Sequence, residues 1–447
     1  MKLTDGSKVA VVGGGPAGSF AAYFLLEFAE RIGLSLDVDI YEPKQFSVRG
    51  PTGCNNCGGI ISESLVQMLA TEGINLPSNV VQRGIQSYVL HADDATVRID
   101  TGSAERRIAA VHRGGGPRNV QGMRWDSFDG HLLQLAQQKG ATLIQSRVDN
   151  ISLEDQRPVV QARDATPRPY DLVVGAAGVN SPVLKVFEGL GFRYHMPRTA
   201  KTYVAEFHVG ADQVAALLGD SMHVFLLDNP RIEFAALIPK GECITLCLLG
   251  DDIDKELVAD FLRLPTVRRC FPPDWTDLAP VCHCAPRINI GGAVQPFADR
   301  IVLIGDSAVT RLYKDGIGAA YRTAKACALT AIFEGVSAHD FERHYLPTCR
   351  HLETDNRFGG LVFMIVSVIR RLPFMRAGIV NQVRKEQAGP STHRGMSVML
   401  WNTFTGSASY RDIFVDGLKP SRLAPLLMES ARALVPAWGT AATKAET

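Results

Sequence analysis

Apolar positions along the chain follow two rhythms. Continuous apolar runs close on glycine at Val9-Ala10-Val11-Val12, Leu172-Val173-Val174 and Ile301-Val302-Leu303-Ile304. Parallel strands buried on both faces read this way. Residues 36–42 and 141–144 add two further strands. Elsewhere the rhythm has period two. Tyr88, Leu90, Val97, Ile99, Ile108 and Val111 alternate with polar residues across 86–111. Tyr203, Ala205, Phe207 and Val209 do the same within 201–249, where 232–238 and 243–249 look like partner strands. This alternation predicts a second, mostly antiparallel sheet. Helices are predicted at 19–30, at 62–70, over Phe128, Leu132, Leu135 and Ala136, at 316–329, and from 338 almost to the end. Because the strand styles switch more than once, the pattern predicts interleaved rather than consecutive domains. One comprises 1–85, 112–190 and 296–337; the other comprises 86–111 and 191–295; a helical region follows over 338–447.

The first apolar run leads into Gly13-Gly14-Gly15-Pro16-Ala17-Gly18, with glycines at G-x-G-x-x-G spacing ahead of a helix. Gly13 serves the tight turn, Gly15 lets backbone approach a pyrophosphate, and Gly18 lets helix and strand pack closely. The first N–H groups of the helix then face phosphate oxygens, where the helix dipole favours negative charge. Glu42 closes the second strand, where the fingerprint wants a carboxylate for a ribose hydroxyl. Strand, glycines, helix, strand and acid in this order predict a Rossmann-type dinucleotide site in an α/β fold.

Net charge is +1 over 447 residues, so nothing argues for a nucleic-acid partner. No apolar run reaches the roughly 20 residues of a membrane-spanning helix. The nine cysteines are scattered and no leader-like segment precedes the first strand. The expectation is thiols in a reducing cytoplasm.

Two stretches carry further chemistry. In the loop Cys54-Asn55-Asn56-Cys57-Gly58-Gly59 the cysteines have C-x-x-C spacing. Half a zinc site completed by Cys282-His283-Cys284, a redox dithiol, and small residues packed near a cofactor are three readings. The third is preferred, because Gly58 and Gly59 permit close backbone approach; no metal is assigned. The most apolar run, at 361–369, is followed by Arg370, Arg371, Arg376, Arg384 and Lys385. It reads as a buried core helix, as an interfacial helix held to anionic headgroups through 361–385, or as a partner surface.

Four segments together resemble the two-domain FAD-dependent oxidoreductases of the p-hydroxybenzoate hydroxylase fold. They are the glycine fingerprint with Glu42, the Cys57-Gly58-Gly59 loop, the strand and turn at 171–181, and the Gly305-Asp306 segment with its helix. The Cys-Gly-Gly loop resembles the geranylgeranyl reductase branch, and the likeness covers roughly residues 5–335. It implies FAD, with Asp306 accepting from a ribityl hydroxyl and Gly316, Ile317 and Gly318 bringing backbone N–H groups to the flavin ring. Arg124 resembles an arginine near the flavin phosphates, though it stands one position early. Ala177, in Ala176-Ala177-Gly178, replaces an aspartate that the hydroxylases use in handling pyridine nucleotide. That departure favours a ferredoxin-like protein over NADPH as electron donor. The proline that often follows the Gly-Asp motif is also absent, and Lys314-Asp315 is either a polar pair near the flavin or a plain surface pair.

The resemblance implies reduction of carbon–carbon double bonds in an isoprenoid or similar lipid. Cys57, Cys54, Tyr313 and Lys314 are the candidate proton donors, and a peripheral position on the inner face of a membrane is expected. An FAD-dependent monooxygenase and an electron-transfer flavoprotein without a small-molecule substrate are the alternatives.

Overall fold

The computed structural model describes residues 1–55, 58–103, 106–118, 120, 126–275 and 278–434. Six strands form the first sheet, in the order Phe297–Ala298, Ile301–Leu303, Leu172–Gly175, Ser7–Val12, Leu36–Tyr41 and Thr142–Ile144. All pairs are parallel except the edge pair at Phe297–Ala298. The three continuous apolar runs therefore lie side by side at the sheet centre, with Val9, Ala10, Leu172, Val173, Ile301 and Val302 fully buried. Helices Pro16–Arg31 and Gly316–Leu329 pack together on one face, where Phe20 and Phe24 meet Tyr321 edge-on at 5.7 and 5.6 Å. Edge-on ring pairs suit the aromatic quadrupole.

The second sheet has eight strands. Its path is Cys282–Cys284, Thr199–His208, Cys243–Gly250, Ile232–Lys240, Ser221–Leu226, Ser87–Ala92 and Ala95–Ile99, with Arg287–Asn289 also on Thr199–His208. It is antiparallel but for one pair, Ser221–Leu226 beside Ser87–Ala92, which run parallel. Those strands lie more than a hundred residues apart in sequence, so no hairpin constrains their direction. Ile108–Val111 departs from the sequence reading. It leaves this sheet and pairs with Ile60–Ile61 and Val81–Ile85 in a small sheet of three. That small sheet ties the cysteine loop to the rest of the molecule. A further three-stranded sheet, made of Val148–Glu154, Arg157–Ala162 and Arg168–Pro169, lies within the first domain's chain.

The two faces of the large sheet have different covers. On one, Phe207, Phe225, Leu246 and Leu248 pack beneath the short helices Lys255–Arg263 and Pro265–Arg268. On the other, Tyr88, Leu90, Val97 and Ile99 pack against Ile369, Ile379, Val383 and Trp401 from the C-terminal helices. The Trp401 indole donates to Glu63 Oε1 at 2.9 Å, which fixes its otherwise unmatched polar edge.

The run at 361–369 sits inside one helix, Leu346–Arg371, which stops at Leu372 before Pro373. Among the described residues no single helix is long and apolar enough to cross a membrane. Only joined to Pro373–Ala388, across a 106° bend, does it reach the length and composition of a broken span. Val362, Phe363, Ile369, Ile379 and Val383 are moreover buried in the protein.

Candidate functional site

Three chain segments far apart in sequence meet at the carboxyl end of the parallel sheet. This is where open α/β sheets bind their ligands. Gly13 has φ of +111°, and a Cβ there would come within 2.6 Å of the Ala176 carbonyl. At Gly18 a Cβ would lie 1.8 Å from the Gly13 carbonyl. Gly305 sits against Ala17, with 2.7 Å left for a Cβ, and the Gly178 N–H donates to Ser307 Oγ at 3.0 Å. The fingerprint, the Ala176-Ala177-Gly178 turn and the Gly-Asp segment are thus mutually locked.

Two helix N-termini open onto this junction without a side-chain cap: Pro16–Arg31 after Gly15, and Gly316–Leu329 after Asp315. Orphan N–H groups at such ends seek an anion or another acceptor. A Cβ on Gly15 would meet only Asn55 Nδ2, at 3.2 Å. The space over Gly15 is therefore bounded by one side chain, not by backbone. Lys44 Nζ holds Asn55 Oδ1 at 2.8 Å, and Asp129, paired with Arg113, accepts from Asn55 Nδ2. A pyrophosphate fits this cradle once Asn55 turns away, with Lys44 and Arg113 standing behind as cations. Glu42 is buried and accepts from the N–H groups of Gly14 and Lys44, both at 2.9 Å. Burial raises its pKa while those two donors lower it. Its remaining lone pairs suit a ribose hydroxyl. Asp306 is partly buried, raised by desolvation and lowered by Thr310 and the Arg113 charge.

The loop into the second helix is backbone-strained. Tyr313 and Asp315 have φ of +60° and +51°, and such outliers concentrate at functional sites. Lys314 and Asp315 do not form the pair considered from sequence. Asp315 turns to Arg322 at 3.0 Å and Arg311 at 3.8 Å. Lys314 turns the opposite way, its Nζ 2.8 Å from the centre of the Phe234 ring on the large sheet. Burial holds that amine well below the usual lysine range. Tyr313 packs edge-on against Phe363 at 4.9 Å, and burial raises its phenol.

Gly58 lies on the same sheet face, where a Cβ would meet Ile238 at 3.4 Å and Cys247 Sγ at 3.6 Å. Gly59 has φ of +68°, and its Cβ position is 2.0 Å from the Val111 carbonyl. Only Gly59 therefore requires a missing Cβ, and what it meets is the Val111 backbone; at Gly58 a Cβ would make ordinary contacts. Between this loop and the sheet is a cavity of about 40 Å³ lined by Cys54, Cys282, Cys284, His112, Glu206 and Lys240. The Cys284 thiol is pushed up to about 12 by burial and the neighbouring thiols. Burial also raises Cys282. Among the described residues these cysteines bring no triad of ligand atoms together for zinc. Cys57 and Arg124 lie outside the described residues.

Sequence reading missed Asn55, Lys44, Arg113 and the Lys240–Glu206 pair, which are 3.7 Å apart at Oε1 with Lys240 1% exposed. Lys240 had a signal. It continues the inward series Phe234, Ala236, Ile238 of its strand, so alternation aims its charge inward. Of the five basic residues after 369, Arg370 and Arg376 are spent inside the protein, whereas Arg371, Arg384 and Lys385 are exposed. Arg370 and Arg376 are 4% exposed and pair with Glu233 and Asp93 at 3.2 and 2.8 Å. Lys385 pairs with Glu429, and Arg384 donates to the Thr96 carbonyl. The apolar stripe between them is open: Leu361, Met364, Ile365 and Val368 share one helical face and are 38–56% exposed.

No family model matches the chain. In sequence it is 21% identical over 392 residues to geranylgeranyl diphosphate reductase of Synechocystis sp., spanning 82% of this chain and 84% of that protein. In structure it is similar to a geranylgeranyl bacteriochlorophyll reductase-like protein of Thermoplasma acidophilum, with a TM-score of 0.65 at 14% identity over 97% of this chain and 100% of that one. It is also similar to a probable FAD-dependent monooxygenase of Pseudomonas aeruginosa, with a TM-score of 0.56 at 14% identity over 81% and 97%. The fold is that of the FAD-dependent oxidoreductases, and the sequence likeness is to geranylgeranyl reductases.

Proposed function

We propose that this geranylgeranyl reductase-like chain is an FAD-dependent enzyme that reduces carbon–carbon double bonds of an isoprenoid or similarly apolar lipid. The observation that carries the reading is the thiol-lined cavity between the dinucleotide cradle and the large sheet. FAD, when bound, supplies the hydride. Gly13, Gly15, Pro16, Ala17 and Gly18 shape the pyrophosphate turn, Glu42 and Asp306 take sugar and ribityl hydroxyls, and Gly316, Ile317 and Gly318 offer the second helix N-terminus. Reduction adds a hydride to one alkene carbon and a proton to the other. That proton is assigned to Cys54, which lines the cavity and whose carbonyl accepts from Lys44 at 2.9 Å.

The cavity has room for roughly three waters. It takes a reacting group, not a whole chain, so the apolar tail extends out of it. The exposed stripe from Leu361 to Val368 is proposed as the contact with the membrane that holds such a substrate. Electrons come from a reduced ferredoxin-like protein in preference to NADPH, as Ala177 suggests. The test is anaerobic: photoreduced protein is mixed with geranylgeranyl diphosphate or a geranylgeranyl lipid in vesicles. Flavin reoxidation with saturated product by mass spectrometry supports the reading. Reoxidation only in oxygen, with a hydroxylated product, supports the monooxygenase reading instead, which the Pseudomonas likeness keeps alive.

A further inference from the structure

A second cluster of reactive side chains lies on the opposite face of the large sheet from the flavin cradle. His91 and His223 stand on neighbouring parallel strands. His223 is opposite Val89, so the period of two puts both rings on one face. Cys270 follows the helix Pro265–Arg268 that covers this face. All three side chains are buried, at 6%, 7% and 2% exposure. His91 Nε2 is 3.0 Å from His223 Nδ1, Cys270 Sγ is 3.3 Å from that same nitrogen, and Cys270 Sγ is 4.0 Å from His91 Nε2.

We propose that His91, His223 and Cys270 form a binding site for one thiophilic late first-row transition ion, Zn²⁺ or Cu⁺. Three arguments support it. First, metal–ligand lengths of about 2.0 Å to nitrogen and 2.3 Å to sulfur, at tetrahedral angles, set ligands about 3.3 to 3.6 Å apart. The three observed separations bracket that range, so small shifts would seat an ion. Second, the Leu218 backbone hydrogen-bonds the His223 ring, which leaves that ring one lone pair. Both other groups crowd that lone pair, and a cation removes the competition. Third, each imidazole has an orienting partner on its far side: Leu218 for His223, and Thr96 Oγ1 at 3.3 Å from His91 Nδ1. Metal-bound histidines are held in this way.

The protons balance simply. The ion displaces the thiol proton of Cys270 to solvent. The His91 proton moves from Nε2 to Nδ1, where Thr96 Oγ1 accepts its hydrogen bond. A mixed imidazole–thiolate set selects zinc or cuprous copper over magnesium or calcium. Phe225, stacked on His91 at 4.7 Å, and Phe261 edge-on to Phe225 wall the site; Cu⁺ is held by the three ligands alone, and zinc takes a water as its fourth. The role is structural: the ion staples the covering helices to the strands Ser87–Ala92 and Ser221–Leu226.

The experiment uses full-length, flavin-loaded protein. Elemental analysis after gel filtration is expected to find about one zinc or copper per chain in the wild type. Chelator-stripped wild type titrated with Co²⁺ should develop a saturable thiolate-to-cobalt charge-transfer band. Cys270→Ala should lose both signals while keeping its flavin spectrum. Should that variant not fold, protection of Cys270 from alkylation by added Zn²⁺, read by peptide mass spectrometry on the wild type, takes its place. Absence of both metal and cobalt band in the wild type overturns the proposal. A band that persists in Cys270→Ala, or alkylation of Cys270 unaffected by Zn²⁺, overturns it equally.

Discussion

Arg311→Met tests how the C-terminal helices reach the flavin site. The Arg311 side chain is 4% exposed and sits behind the strained loop of Tyr313 and Asp315. It donates to the carbonyls of Gly406 and Ala408, the latter at 2.7 Å. It also lies 3.4 Å from Asp355, 3.8 Å from Asp315, and 4.6 Å over the Tyr410 ring. One guanidinium therefore ties the loop before Gly316 to helices Leu346–Arg371 and Tyr410–Gly417. Methionine keeps the length and removes the charge. Removing one partner of a buried pair costs about 3–5 kcal/mol, mostly from the charge left behind.

Here the remaining charges keep other partners. Asp315 retains Arg322, and Asp355 retains the N–H groups of Tyr410 and Arg411 at 3.1 and 3.0 Å. The lower end, about 3 kcal/mol, is therefore expected. In native-state hydrogen exchange this is roughly a hundred-fold faster opening, at about 1.4 kcal/mol per decade. The effect should appear in helices Gly395–Thr405 and Tyr410–Gly417 and at the start of Gly316–Leu329, with weaker FAD retention. Arg311→Lys should fall between, since it keeps the charge without the fork. Exchange in those helices unchanged to within about threefold would refute the account.

Four further outcomes are expected. Gly18→Ala should yield protein without flavin, because its Cβ would fall 1.8 Å from the Gly13 carbonyl; a yellow, stable variant counts against the cradle. Cys54→Ala should keep its flavin spectrum and lose most alkene reduction in single turnover; full activity would shift the proton donor to another cavity thiol. Stopped-flow bleaching should be slow with NADPH and fast with reduced ferredoxin, and the reverse order would sink the protein-donor reading. Met364→Asp with Val368→Asp should abolish vesicle binding at unchanged thermal stability, whereas Arg371→Ala alone should weaken it only slightly; binding by the double variant would return the helix to a core role.

The sequence by itself determined the parallel sheet and its glycine turn, and the presence of a second, mostly antiparallel sheet. Those features are written in local periods: continuous apolar strands, glycine spacing, and alternation over 201–249 that falls on observed strands. Gly59, which the loop motif singled out, does require a missing Cβ, but its neighbour is the Val111 carbonyl, a contact that pairing across the small sheet decides. Tertiary structure decided the rest, because it depends on what lies opposite. Ile108–Val111 reads as one more strand after its neighbours, yet joins the small sheet, since strand pairing is a long-range choice. Arg370 and Arg376 read as surface charge until Glu233 and Asp93 close on them. Lys314 and Asp315 are adjacent in sequence but diverge, because the left-handed backbone at Asp315 sends one to an aromatic ring and the other to two arginines. His91, His223 and Cys270 share no motif at all. Only a parallel strand pair and a covering helix bring their ligand atoms within 4.8 Å of one another, and no local pattern encodes that distance.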